Sequence, residues 1–129
     1  MIPKFRAFWK KDKIITNIDA LFFLEGGIKV EDGCSHSEFL EDSSVSLMKS
    51  TGLVDKHGVD IFEGDIVKNG AGNIGYISYL IQEAGYVVVL HEADYRLGHR
   101  NTGETYGVSG NHEVIGNIYE DLELLRRKL

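Results

Sequence analysis

Ser50–Lys68, STGLVDKHGVDIFEGDIVK, decides the fold, because it reads as two tight turns leading into a β-strand. Asp55, Lys56, His57 and Gly58 have the composition of a type I turn, with a side-chain acceptor at the start and a glycine at the end that takes positive φ cheaply. Glu63, Gly64 and Asp65 make a second reversal, and the β-branched Ile66 and Val67 open the next strand. Four acids, Asp55, Asp60, Glu63 and Asp65, fall within eleven residues, but the spacing and closing glutamate of a calcium loop are absent. Asp55 and Asp65 therefore read as acceptors for turn amides, and Asp55, Gly58, Gly64 and Asp65 as a structural turn motif.

Outward from this stretch, short apolar runs alternate with polar or glycine-bearing breaks. Phe5–Trp9 and Ile14–Thr16 flank the charged turn Lys10–Lys13 as a hairpin. Ala20–Leu24 and Ile28–Val30 flank Glu25-Gly26-Gly27 as a second, although Asp19 could instead cap a short helix over the first run. The acidic, serine-bearing segment Glu31–Ser44 reads as a loop or a subdomain boundary. Glycines 70, 72 and 75 would cradle a phosphate only if a helix followed, and a strand pattern follows, so Asn69–Asn73 reads as a turn. Ile74–Ile81 is apolar on both alternating faces, as in a strand covered on both sides, and Tyr86–Leu90 pairs with it through Glu83-Ala84-Gly85. Leu122, Leu125 and Leu129 fall at helical spacing and Leu124 widens the stripe, with Asp121 as cap, acids early and Arg126, Arg127 and Lys128 late. The pattern predicts an all-β protein with one short C-terminal helix. An N-terminal β-rich subdomain covers residues 1–49 and a barrel-like subdomain with the helix covers 50–129, in one compact unit.

Composition narrows the class. A chain of 129 residues is long enough to bury a core without staples. Its one cysteine, Cys34, excludes an internal disulfide and any multi-cysteine zinc site, which fits a reducing compartment. Without a signal-like apolar opening or an apolar run of membrane-spanning length, the expectation is a soluble, cytoplasmic protein with no membrane partner.

Charge is unevenly spread. The first 13 residues hold five basic residues and one acid, the last four hold three basic residues, and the middle holds six basic residues and 19 acids. An acidic body repels a phosphate backbone unless the two basic ends converge. In the first hairpin Lys4, Arg6, Lys10 and Lys11 interleave with Phe8 and Trp9, a mixture suited to stacking bases over a positive groove. Strand alternation gives the plainer account, with Phe5 and Trp9 inward, Arg6 and Phe8 on the opposite face and the lysines in a solvated turn. Those six residues are the candidate binding set. His91, Glu92, Asp94, His99 and His112 lack the spacing of metal ligands, and Cys34 with His36 lacks an orienting third group, so no catalytic residue, metal site or cofactor is assigned.

Three segments together resemble the YopX-like family of phage and prophage proteins. They are Lys4-Phe5-Arg6-Ala7, the run from Met48-Lys49-Ser50-Thr51-Gly52-Leu53 through Asp55-Lys56-His57-Gly58 to Ile61-Phe62-Glu63-Gly64-Asp65-Ile66-Val67, and Glu113-Val114-Ile115-Gly116-Asn117-Ile118-Tyr119-Glu120. Ser50 stands where an aromatic is usual, Phe8-Trp9-Lys10 replaces a single aromatic and an acid, and His91–His112 is longer than the family norm. The resemblance implies a small, mostly β protein with a part similar to an SH3-like barrel, carried by mobile genetic elements. The expectation for function is a non-enzymatic accessory protein that acts by protein binding. A nucleic-acid-binding module using the basic N- and C-terminal segments is the alternative. Strand edges and a knob formed by Phe8 and Trp9 add an expectation of homo-oligomers.

Overall fold

In the computed structural model, which describes residues 4–81, 84–90, 105–107 and 111–126, the short apolar runs are strands and the glycine-bearing breaks are turns. The chain divides into two compact units, Met1–Ser50 and Thr51–Leu129. In the first, β1 (Phe5–Trp9) and β2 (Ile14–Asn17) form a hairpin, and β1 also pairs antiparallel with the first part of β6 (Val45–Val54). β3 (Ala20–Leu24), β4 (Gly27–Glu31) and β5 (Ser37–Phe39) form a second antiparallel sheet in that order. Ala20–Leu24 is thus a strand rather than a helix capped by Asp19. Glu31–Ser44 is not a bare loop, since it holds β5 and a 3-10 helix, Leu40–Asp42, and the division between units falls after Ser50. All three residues of β5 are exposed, so its composition carries no apolar alternation by which it could be read.

Alternation along β1 sends Ala7 and Trp9 inward, where they meet Val30 and Val45, with Ile18, Leu21, Leu40 and Leu47 packed around them. The indole brings a polar atom into this core, and its Nε1 donates to Thr16 Oγ1 at 2.7 Å.

In the second unit the end of β6 lies beside β7 (Asp60–Phe62). β8 (Asp65–Lys68), β9 (Ile74–Leu80), β10 (Gly85–Leu90), β11 (Thr105–Gly107) and β12 (Glu113–Asn117) form an antiparallel sheet ordered β11-β10-β9-β8-β12 that curls into a half-barrel. Ile61, Val67, Ile77 and Val88 make its core, with Tyr86 and Val114 against them. The cover on both faces of β9 extends only part of the way. Ile77 is buried, but Tyr79, which pairs with β10 alone, and Ile81, which lies just past the end of β9, are exposed.

Two aspartates hold the turns of Ser50–Lys68. Asp55 Oδ1 accepts from the amides of His57 and Val59 at 2.8 and 2.9 Å, while the Gly58 amide donates to the Asp55 carbonyl at 3.0 Å. Asp55 Oδ2 accepts from the Val114 amide of β12 at 3.0 Å, and beside it the Lys56 amide donates to the His112 carbonyl at 2.9 Å. Burial pushes the Asp55 carboxyl up, but the amides of Val114, Val59 and His57 outweigh it and hold the group below the usual aspartate value. In the second turn Asp65 Oδ2 accepts from the Phe62 amide at 2.8 Å. Gly64 adopts φ +90° there. Its amide donates to the Ile77 carbonyl and its carbonyl accepts from the Ile118 amide, both at 2.9 Å.

Asn69 Oδ1 accepts from the amides of Ala71 and Asn73, both at 2.9 Å, and so closes the β8–β9 turn with a side chain. After β12, Leu122–Arg126 is a 3-10 helix that packs on β9, with Leu125 buried and the Leu124 amide donating to the Asp121 carbonyl at 2.9 Å. The Asp121 carboxylate does not cap this helix forward. It accepts from the Asn117 amide behind it at 3.2 Å. Arg127, Lys128 and Leu129 lie outside the described residues. Among the described residues no helix is long and apolar enough to cross a membrane.

Gly64 sits in the left-handed region with both backbone groups bonded into neighbouring segments, so a β-branched residue can neither adopt its φ nor move away. Gly64→Val is expected to lower stability by at least ~1 kcal/mol. A denaturant titration with an unchanged midpoint would show the glycine to be incidental.

Candidate functional site

In the first unit the β1–β2 turn and the segment after β4 bring together side chains that are far apart in sequence. Asp32 organises the segment, its Oδ1 accepting from the amides of Cys34 at 2.9 Å and His36 at 3.1 Å. This folds the chain back so that the His36 ring stacks on Trp9 with 4.9 Å between ring centroids. His36 Nε2 then lies 2.6 Å from Asp12 Oδ2, and His36 Nδ1 lies 3.0 Å from Asp32 Oδ2. Asp12 comes from the lysine-rich turn, so the three residues fasten that turn to the segment after β4. Trp9, Lys11, Asp12, His36 and Glu38 line an open hollow of about 240 Å³ beside them.

Electrostatics decides what this cluster can do. The bond to Asp12 raises the His36 pKa, burial opposes it, and the Asp32 bond and both carboxylate charges leave it above the ordinary histidine value. Burial raises Asp32, but the amides of Cys34 and His36, followed by the His36 ring and the Thr16 hydroxyl, outweigh it and hold the carboxyl below its ordinary value. The imidazolium form donates from both nitrogens, one to each carboxylate. With both nitrogens so engaged the ring has no lone pair for a proton, a thiol or a metal. In that form His36 serves as a clamp between the two carboxylates, and the nearby Cys34 is exposed.

The residues singled out in the sequence are dispersed. Trp9 is 2% exposed inside the first core, while Phe8 is half-buried on the opposite face of β1, so the two do not form one aromatic knob. Lys4, Lys10 and Lys11 are exposed and Arg6 is half-buried. Asp55 and Asp65 are buried in the turns described above, and His112 is buried as well. His91, Glu92, Asp94 and His99 lie outside the described residues.

A different surface stands out on β3. Phe22, Phe23 and Leu24 are 43%, 78% and 50% exposed at the end of a strand that forms the edge of its sheet. Leu21 packs into the core, but five consecutive apolar residues in a strand put apolar groups on both faces, and one core covers only one of them. That run, ALFFL, is the sequence signal by which the surface could have been found. On the outer face Phe22 lies opposite Lys29, which lies opposite Phe39, giving one cross-strand row.

The sequence profile of the family described as YopX protein matches residues 4–126. Among solved structures, the crystal structure of protein EF1440 from Enterococcus faecalis is similar, with a TM-score of 0.58 and 26% sequence identity over 97% of this chain and 99% of that chain. No curated protein matches the sequence.

Because the His36 pKa is raised on folding, its stabilising contribution is fully present below the unfolded value of 6.5 and is lost as pH rises through the higher folded value. The unfolding midpoint is expected to decline on that account above neutral pH, with a smaller decline in His36→Gln. NMR titration of the His36 ring should give a midpoint above 6.5. A midpoint at or below that value would contradict the clamp.

Proposed function

The chain belongs to the YopX protein family, and from that premise we propose that it is a non-enzymatic accessory protein of a phage or prophage that acts in the host cytoplasm by protein binding. The observation that carries this reading is the apolar end of β3, where Phe22, Phe23 and Leu24 meet solvent on an edge strand. Contiguous exposed apolar groups mark interaction sites, and an unpaired edge offers a second chain a ladder of amides and carbonyls. The acidic character of the chain, with a formal net charge of −6, favours a basic or apolar protein surface over a nucleic acid. His36, clamped between Asp12 and Asp32, works as a fastener, which accords with binding as the activity.

Affinity capture from an induced lysogen tests this, using the tagged full chain beside Phe23→Ser and Leu24→Ser. The expected outcome is a protein recovered in near-stoichiometric amount by the parent chain, retained in high salt and lost in both variants. Recovery of DNA or RNA that is released as salt rises, and is lost on changing Lys10 and Lys11 to alanine, would replace this reading with the nucleic-acid one.

A further inference from the structure

Resting on the protein-binding reading, we propose that β3 pairs with β3 of a second copy of this chain. The two strands run antiparallel about a two-fold axis at Phe22, joining two three-stranded sheets into one of six strands. The two edges of this sheet differ. β5 is three residues long and places Glu38 on its edge, the kind of short, charged border that discourages pairing. β3 is five residues long and reads Ala20-Leu21-Phe22-Phe23-Leu24, with no charge, proline or glycine, and among the described residues no strand pairs with its outer side. Two chains that each carry a formal charge of −6 repel one another, and apposition is least costly where neither presents a charge.

The sequence of β3 also suits its own antiparallel copy. With the axis at Phe22 all five residues pair. Ala20 lies opposite Leu24 of the second copy, Leu21 opposite Phe23, and Phe22 opposite Phe22, so small residues meet large ones at either end. Because a two-fold axis perpendicular to the sheet keeps each face continuous, the two Phe22 rings fall on the outer face, in line with Lys29 and Phe39 of each copy. Lys29 is neutralised by Glu31 at 3.3 Å. Taking ~200 Å² for a phenylalanine side chain, the exposed parts of Phe22 and Phe23 amount to roughly 240 Å² per copy. Two copies together bring roughly 480 Å², well below the ~1,200 Å² that a stable complex buries over both partners, so the backbone ladder with Leu24 carries much of the contact and the dimer is concentration-dependent.

Register-specific cross-linking on the full chain, in a Cys34→Ser background, tests the pairing. Directly opposed residues of an antiparallel pair have Cα atoms ~4.5–5.5 Å apart, within disulfide reach. Phe22→Cys is therefore expected to give a disulfide-linked dimer on mild oxidation. Leu24→Cys, roughly 13 Å from its own counterpart, is expected to give none. Sedimentation of the parent chain should show a monomer–dimer equilibrium at roughly 10–100 µM. Phe22→Glu, which places a carboxylate opposite Lys29 within its own sheet but opposite its twin across the axis, should weaken the dimer at least tenfold with an unchanged unfolding midpoint. A strict monomer at several hundred micromolar, equal cross-linking of both cysteine variants, or a dimer indifferent to Phe22→Glu would overturn the pairing. A strict monomer that still captures a protein overturns self-pairing alone, whereas loss of both overturns the binding reading with it.

Discussion

The carboxylate of Asp55 is the interaction on which the second unit depends. A buried carboxylate is costly unless amides surround it. Here one oxygen takes two amides of its own turn and the other takes Val114, 59 residues further along the chain. A local turn thereby becomes the anchor for the last strand of the half-barrel. Gly64 repeats the device with backbone alone, since its amide reaches β9 and its carbonyl receives Ile118 just after β12. The Asp55 turn joins segments that β-pairing by itself would leave apart, whereas Gly64 extends the pairing of β8 with β9 and β12 by one position.

The first unit is held differently. Its small core is centred on Trp9, and the ring and polar atom of that residue are both committed, one to His36 and the other to Thr16. Thr16 in turn lowers Asp32, which holds the segment carrying His36, so the contacts close on themselves. A core of this size reaches Leu21 on one face of β3 but not Phe23 further along that face, and it leaves Phe22 and Leu24 on the other face in solvent. The same limit on buried area that calls for a polar clamp around Trp9 therefore exposes the apolar strand end on which the proposed binding reading rests.

Much of the strand plan was legible because hairpins announce themselves locally. Charged Lys10–Lys13, Glu25-Gly26-Gly27 and Glu83-Ala84-Gly85 each interrupt apolar runs, and adjacent runs pair. β5 was not legible, because Ser37-Glu38-Phe39 is exposed throughout and three residues with a single apolar one show no alternation to detect. The C-terminal leucines have helical spacing, but over five residues a 3-10 helix and an α-helix bury nearly the same positions, so spacing does not separate them. The His36 clamp was illegible for another reason: Asp12 and His36 are 24 residues apart, and nothing in either neighbourhood names the other.

The sequence by itself determined the family, the all-β class and the turns, since these rest on residues that act within a few positions of one another: glycines, turn aspartates and β-branched runs. Tertiary structure decided which Asp55 oxygen reaches Val114, that Trp9 is enclosed and stacked on His36, and that Phe22–Leu24 remain uncovered. Local geometry follows from steric and hydrogen-bonding preferences of neighbouring residues. Burial follows from the competition of all apolar groups for a limited interior, which only the folded chain resolves.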